Sequence, residues 1–149
     1  MIEYILIAAI IGADQLSKYA IRALLSEGES IRVLGSFFRL TYIRNDGAAF
    51  SSFSGQRTLL LAFTTAAILV TLFFLWKERG KNRLFTASLI LIAGGGIGNL
   101  IDRALFGEVT DMLDFSFFPP IFNVADIAVC VGAGLLLLYV LIGERYEKK

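Results

Sequence analysis

Three stretches of this chain contain no Asp, Glu, Lys or Arg: residues 58–76, 84–101 and 127–143. Each is close to the roughly 20 residues that a helix needs to cross the hydrocarbon of a bilayer. In lipid every backbone polar group must be bonded internally, so runs of this kind are satisfied as helices. A fourth apolar stretch, Tyr4–Ala13, is shorter, and Asp14 and Lys18 follow it in the same helical pattern. Its leading flank has Glu3 and no basic residue, which predicts a retained membrane helix and not a cleaved signal segment. Only 18% of the chain is charged and 56% is hydrophobic, where a soluble domain carries about a quarter charged residues.

The expected fold is a membrane all-α bundle with a small β element, in one domain over residues 1–149. The helices are expected at about 1–22, 58–76, 84–102 and 123–143. The link between the first two is too long for a simple connection and carries strand signals over about 28–53. Ile31–Leu34 and Phe37–Tyr42 flank Gly35-Ser36, a pair that suits a two-residue hairpin turn. Phe38, Leu40 and Tyr42 alternate with Arg39 and Thr41, which gives one apolar and one polar face. Such a sheet suits a membrane surface. Asn45-Asp46-Gly47 predicts a further turn.

Basic residues set the orientation. Lys77, Arg79, Lys81 and Arg83 crowd one short loop, and Arg145, Lys148 and Lys149 mark the tail. Four spans with both termini cytoplasmic follow. The 23–57 link, the 103–122 segment, the end of the third helix and the start of the fourth then emerge together on the outer side. Pro119-Pro120 and the aromatics before them are expected to form a semi-rigid lid or an interfacial anchor.

Composition removes several chemistries. The chain has no histidine and one cysteine, Cys130. Ser-His and Cys-His hydrolases, an internal disulfide and the usual His-containing zinc sites are excluded. A net charge of +1, with no long basic run, gives no case for nucleic acid. A hydrolase pairing Ser17 with Lys18 fails on geometry, because neighbouring helix residues point in different directions.

The polar residues that remain collect around the helix ends. Asp14 and Lys18 lie four apart on one helix face and can pair. Asn99 and Asp102 share a face of the third helix, next to Arg103, and Gly94, Gly95, Gly96 and Gly98 allow close helix packing there. Asp111 follows that helix; Asn123 and Asp126 open the last one. Two carboxylates brought together cannot both ionise easily, so they share a proton. One can then take a proton from water while the other donates to a carbonyl oxygen or a leaving amine. Asp111 and Asp126 are the pair chosen for that role, which calls for no cofactor and no metal.

The chain resembles the bacterial lipoprotein signal peptidases (signal peptidase II) along nearly its whole length. The resemblance rests on several motifs in order: Asp14-Gln15-Leu16-Ser17-Lys18, then Asn45-Asp46-Gly47-Ala48-Ala49-Phe50, then Gly95 to Arg103. Val109-Thr110-Asp111 and Phe122-Asn123-Val124-Ala125-Asp126 complete the set. Thr is more usual where Asp46 stands, and Val is commoner where Thr110 stands. The resemblance implies an intramembrane aspartyl endopeptidase of the bacterial inner membrane, with Asp111 and Asp126 as the dyad. It would remove the signal peptide of a diacylglyceryl-modified prolipoprotein, before the lipid-modified cysteine and near the outer leaflet. Asp14, Lys18, Asn45, Gly47, Asn99, Asp102, Arg103 and Asn123 match positions that shape the site, with Asp102 a rival for a direct role. The strand-rich first loop matches the family's extracytoplasmic β-cradle. Expected partners are prolipoprotein signal peptides and membrane lipids, and the chain is expected to act as a monomer. Two other classes stay open on the residues alone: a small proton-coupled transporter, and a non-catalytic assembly protein whose polar network only packs helices.

Overall fold

The structure is a computed structural model. It describes residues 1–47, 53, 55–78 and 82–147, with side chains to residue 142. Ala48–Phe50, Arg79, Lys81, Lys148, Lys149 and the side chain of Arg145, all used above, lie outside the described set. Along the chain come α1 (Ile2–Leu24), β1 (Ser30–Leu34), β2 (Phe38–Asn45), α2 (Arg57–Lys77) and α3 (Arg83–Leu105). Then follow β3 (Val109–Phe115), β4 (Phe118–Phe122) and α4 (Val124–Glu147). All four helices are long and apolar enough to cross a bilayer. Phe63, Leu69 and Val70 on α2, and Leu137, Leu138 and Val140 on α4, are exposed, as lipid-facing sides should be. The chain is a multi-pass membrane protein.

The bundle is built around α3, against which α1, α2 and α4 all pack. Its glycines explain how one helix serves three neighbours. Successive helical residues point about 100° apart, so consecutive glycines face different helices. A Cβ on Gly94 would lie 2.9 Å from Ile10 of α1, and one on Gly96 would lie 3.1 Å from Ile68 of α2. One on Gly95 would collide with the Ala125 carbonyl oxygen of α4, and one on Gly98 would stand 2.6 Å from the Asp14 carboxylate. Backbone approach of this kind needs small residues. Around the glycines Ile7, Leu75, Leu89, Ile90 and Ala93 form a buried apolar cluster.

The sheet is antiparallel in the order β1-β2-β3-β4. The predicted hairpin is present, with Ile31 opposite Leu40. Its connection spans residues 35–37, one longer than expected. Gly35 takes φ +54, the amide of Phe37 donates to Leu34 O at 2.9 Å, and the Phe37 ring leaves the ladder to stack on Phe117. Half of the sheet comes from elsewhere. The segment after α3, expected to carry a lid or anchor, is a second hairpin. β3 is buried on both faces over most of its length, so it lacks the alternation that marks a half-exposed strand. Pro119-Pro120 falls in β4, an edge strand paired with β3 at Phe118 and Phe122, where missing N–H donors are tolerated. The prolines therefore stiffen a wall and are not a lid.

Ile21 and Leu25 from the end of α1 meet Met112, Leu40, Tyr42 and Leu113 of the sheet, which fixes the sheet over one end of the bundle. The rings of Phe37, Phe115 and Phe117 tie the two hairpin turns together, with centroids 5.3–5.8 Å apart.

Gly95→Ala should destabilise the protein by about 1–3 kcal/mol, because a side chain there overpacks two backbones. Gly134, whose Cβ would meet nothing within 4 Å, should tolerate alanine. Thermal unfolding in detergent compares the two; equal melting temperatures would remove α3–α4 contact as the organising feature.

Candidate active site

The polar residues singled out in the sequence come together where the sheet meets the bundle. Lys18 is the hub. Its ammonium is fully buried and lies 2.8 Å from Asp14 Oδ2, 2.9 Å from Asn99 Oδ1 and 3.4 Å from Asp102 Oδ2. Three N–H donors thus face three acceptors. Asp14 and Asp102 are fully buried too, and a buried charge persists only when paired and hydrogen-bonded. Asp14 Oδ1 also accepts from the Ala125 amide at 2.9 Å, and Asp102 Oδ2 from the Thr110 amide at 3.0 Å. These two acids therefore tie α1 to α4 and α3 to β3.

From the hub the network runs to Asp111 and Asp126. A lysine can only donate, so it fixes Asn99 with Oδ1 towards α1 and Nδ2 towards α4. That Nδ2 donates to Asp126 Oδ1 at 2.8 Å. Asn123 reaches both acids. Its Nδ2 donates to Asp111 Oδ1 at 2.6 Å and to Asn99 Oδ1 at 3.2 Å, and its amide donates to Asp126 Oδ2 at 3.2 Å. The Asp126 amide donates back to Asn123 Oδ1 at 2.9 Å. This reciprocal pair closes the N-terminus of α4 as a capping box does. On the sheet side Asn45 Nδ2 donates to the second oxygen of Asp111 at 3.0 Å. The same Asn45 accepts from the Gly47 amide at 3.0 Å, which makes the predicted turn an Asx turn.

Asp111 and Asp126 both line a cavity of about 1060 Å³ that also touches Asn45, Asn99 and Arg103. The rest of its wall is apolar apart from Thr64 and comes mainly from α2, α4 and β4. Asp14, Lys18, Asp102 and Asn123 do not line it. Arg103 Nη2 donates to Gly47 O at 2.6 Å; its buried Nε has no partner among the described residues. Burial pushes the Asp111 carboxyl up to about 6; the Asn45 hydrogen bond opposes this and the Asp126 charge adds to it.

Several contributors carried no sequence signal of their own. Gln15 Nε2 reaches Asp14 Oδ2, Gly98 O and Asp102 Oδ1 at 3.0–3.1 Å; only its place beside Asp14 hinted at this. Arg57, which opens α2, donates to Arg103 O and Ala104 O at 3.0 and 2.9 Å. It closes the C-terminal end of α3, where a cation is favoured.

The sequence profile described as "Signal peptidase (SPase) II" matches residues 6–142. The chain belongs to the signal peptidase II family. It is 43% identical to the lipoprotein signal peptidase of Halalkalibacterium halodurans over 152 aligned positions, covering 100% of this chain and 97% of that one. The lipoprotein signal peptidase of Halothermothrix orenii is also 43% identical, over 91% of this chain and 92% of its own. A solved bacterial membrane enzyme superposes with a TM-score of 0.91 at 31% identity, covering 99% of this chain and 91% of that structure. Family membership makes the chain a peptidase.

Asp111 should leave a mark on stability. Its folded value lies above the ~3.9 of an unfolded aspartate, so folding favours the neutral form. That contribution is complete below about pH 4 and is lost as pH rises through about 6. The chain has no histidine to titrate in this window. The melting temperature in detergent should therefore fall from about pH 5 to 7, and fall less in Asp111→Asn. An identical slope in the two proteins would contradict the assignment.

Proposed function

We propose that the protein is an aspartyl endopeptidase that removes the signal peptide from diacylglyceryl-modified prolipoproteins, cutting before the lipid-modified cysteine. The observation that carries this reading is the pair Asp111 and Asp126, held through one asparagine, Asn123, on the wall of a cavity that is otherwise largely apolar. An apolar helix and lipid chains suit that wall, and two carboxyls at its polar end suit hydrolysis. The curated relatives, whose names describe lipoprotein signal peptidases, support the same substrate class.

In the mechanism Asp111 holds the shared proton, since burial favours its neutral form. A substrate that covers the cavity removes further water and strengthens that preference. Asp126 takes a proton from water as the water attacks the scissile carbonyl, and Asp111 donates to the carbonyl oxygen. Collapse of the tetrahedral intermediate delivers a proton to the leaving amine of the modified cysteine. Asn99, Asn123 and Asn45 hold the two carboxyls, and Arg103 places a positive charge on the same cavity wall. Asp14, Lys18 and Asp102 act as support, because their charges are consumed within the protein and they stand behind the cavity wall. Every group in this scheme comes from one copy of the chain, which fits a monomer.

The location follows from the basic residues. Lys77, which ends α2, and Arg83, which opens α3, lie at the end of the bundle remote from the sheet, so with cytoplasmic termini the site would lie near the outer leaflet of the bacterial inner membrane. The sheet would rest there as the surface cradle. A proton-coupled transporter fits less well. Among the described residues the buried charges lie in the half of the bundle nearest the sheet, and the far half buries only Thr71 and Ser88 as polar side chains.

The test is cleavage of a diacylglyceryl-modified prolipoprotein in detergent by the wild type, Asp111→Asn, Asp126→Asn and Asp102→Asn. The two dyad variants should lose about 10³-fold or more in rate while remaining folded, and Asp102→Asn should keep residual activity. Full cleavage by either dyad variant would overturn the mechanism. A folded wild type that fails on a confirmed substrate would overturn the peptidase reading in favour of transport or assembly.

A further inference from the structure

Arg22, in the last turn of α1, belongs to none of the motifs that define the site. Yet it reaches both α3 and β3. Its Nη1 donates to Thr110 Oγ1 at 2.9 Å and stands 3.7 Å from Asp102 Oδ2. Its guanidinium lies over the Phe106 ring, 4.6 Å from the centroid, a stacking that suits arginine better than lysine. Thr110 is buried, precedes Asp111 and gives its amide to the same Asp102 oxygen. Arg22, Thr110 and Asp102 therefore form a closed strap between the ends of α1 and α3 and the strand that carries Asp111.

The charges support this grouping. Asp14 and Asp102 are two buried negative charges, and Lys18 alone would leave one uncompensated; Arg22, one helical turn further on, supplies the second positive charge. The contact needs the Thr110 hydroxyl, which a valine of similar shape would lack.

We propose that Arg22 is a positioning residue for the reaction, acting through Thr110 on the strand that sets Asp111 against Asp126. The inference rests on the proposed role of Asp111. Strand β3 meets α3 through the turn at Gly107, whose φ is +87; its start pairs with β2 at Val109 and Thr110, and the Arg22–Thr110–Asp102 contacts are what tie that paired start back to α1 and α3. Release of that grip should alter catalytic geometry and leave the apolar substrate-binding wall unchanged.

The experiment measures kcat and KM per folded enzyme on the modified prolipoprotein for Arg22→Met, Thr110→Val, the double variant and Asp111→Asn. Arg22→Met should lower kcat about 10-fold with KM changed less than about twofold, since small misplacements near reacting groups are costly. Thr110→Val, the milder change, should lower kcat about threefold. The double variant should be no slower than Arg22→Met, because both remove one contact and their effects do not add. Wild-type kcat in folded Arg22→Met, or losses that multiply in the double variant, would overturn the inference. If Asp111→Asn is inactive in that case, the function stands and only the strap's role fails. If Asp111→Asn cleaves normally, the dyad assignment fails and the inference falls with it.

Discussion

The structure depends on one buried ammonium. Lys18 lies in the membrane-spanning part of α1 with no exposed surface, and an isolated charge there would cost several kcal/mol. It is kept because all three of its donors are used, on Asp14, Asn99 and Asp102. Each acceptor then passes the constraint to another element. Asp14 holds the first turn of α4 through Ala125. Asp102 holds β3 through Thr110. Asn99 holds Asp126 and meets Asn123, which holds Asp111. The two acids that face the cavity are therefore aimed through a network rooted in Lys18, Asp14 and Asp102, which do not line it.

The glycines of α3 make this arrangement possible. Asp14 stands where a side chain on Gly98 would be, so the hub exists only because α1 comes that close. Gly95 brings the α4 backbone near in the same way. The packing motif and the polar site are thus one design, with the glycines setting distances that the ion pairs then use. The cavity also follows, since α2 and α4 each pack on α3 and leave an apolar space between them for the site to open into.

Much of this was legible in the residues. Charge-free runs of bilayer length marked three helices, and the spacing of Asp14 and Lys18 anticipated their pairing. Asn99, Asp102, Arg103, Asp111, Asn123 and Asp126 were legible because polar groups at the edges of apolar runs need a reason to be there. The second hairpin was not. β3 is covered on both faces, so it shows no alternation, and two prolines disguise β4. Contributors such as Arg22, Arg57 and Gln15 were also hidden: each works through a contact 46 or more residues distant in sequence, which no local pattern reports.

The most direct test of the central claim is the turnover rate of the double variant Lys18→Met/Asp14→Asn. This pair of changes keeps the buried charge balanced and leaves an oxygen at residue 14 for the Ala125 amide. The donor that orients Asn99 is lost, together with the 3.4 Å contact to Asp102, which keeps its bonds from Gln15 and Thr110. If the ammonium aims the two carboxyls, the variant should fold and bind substrate yet cleave about 100-fold more slowly, the scale expected of a small misplacement. A folded double variant that turns over at the wild-type rate would contradict the account.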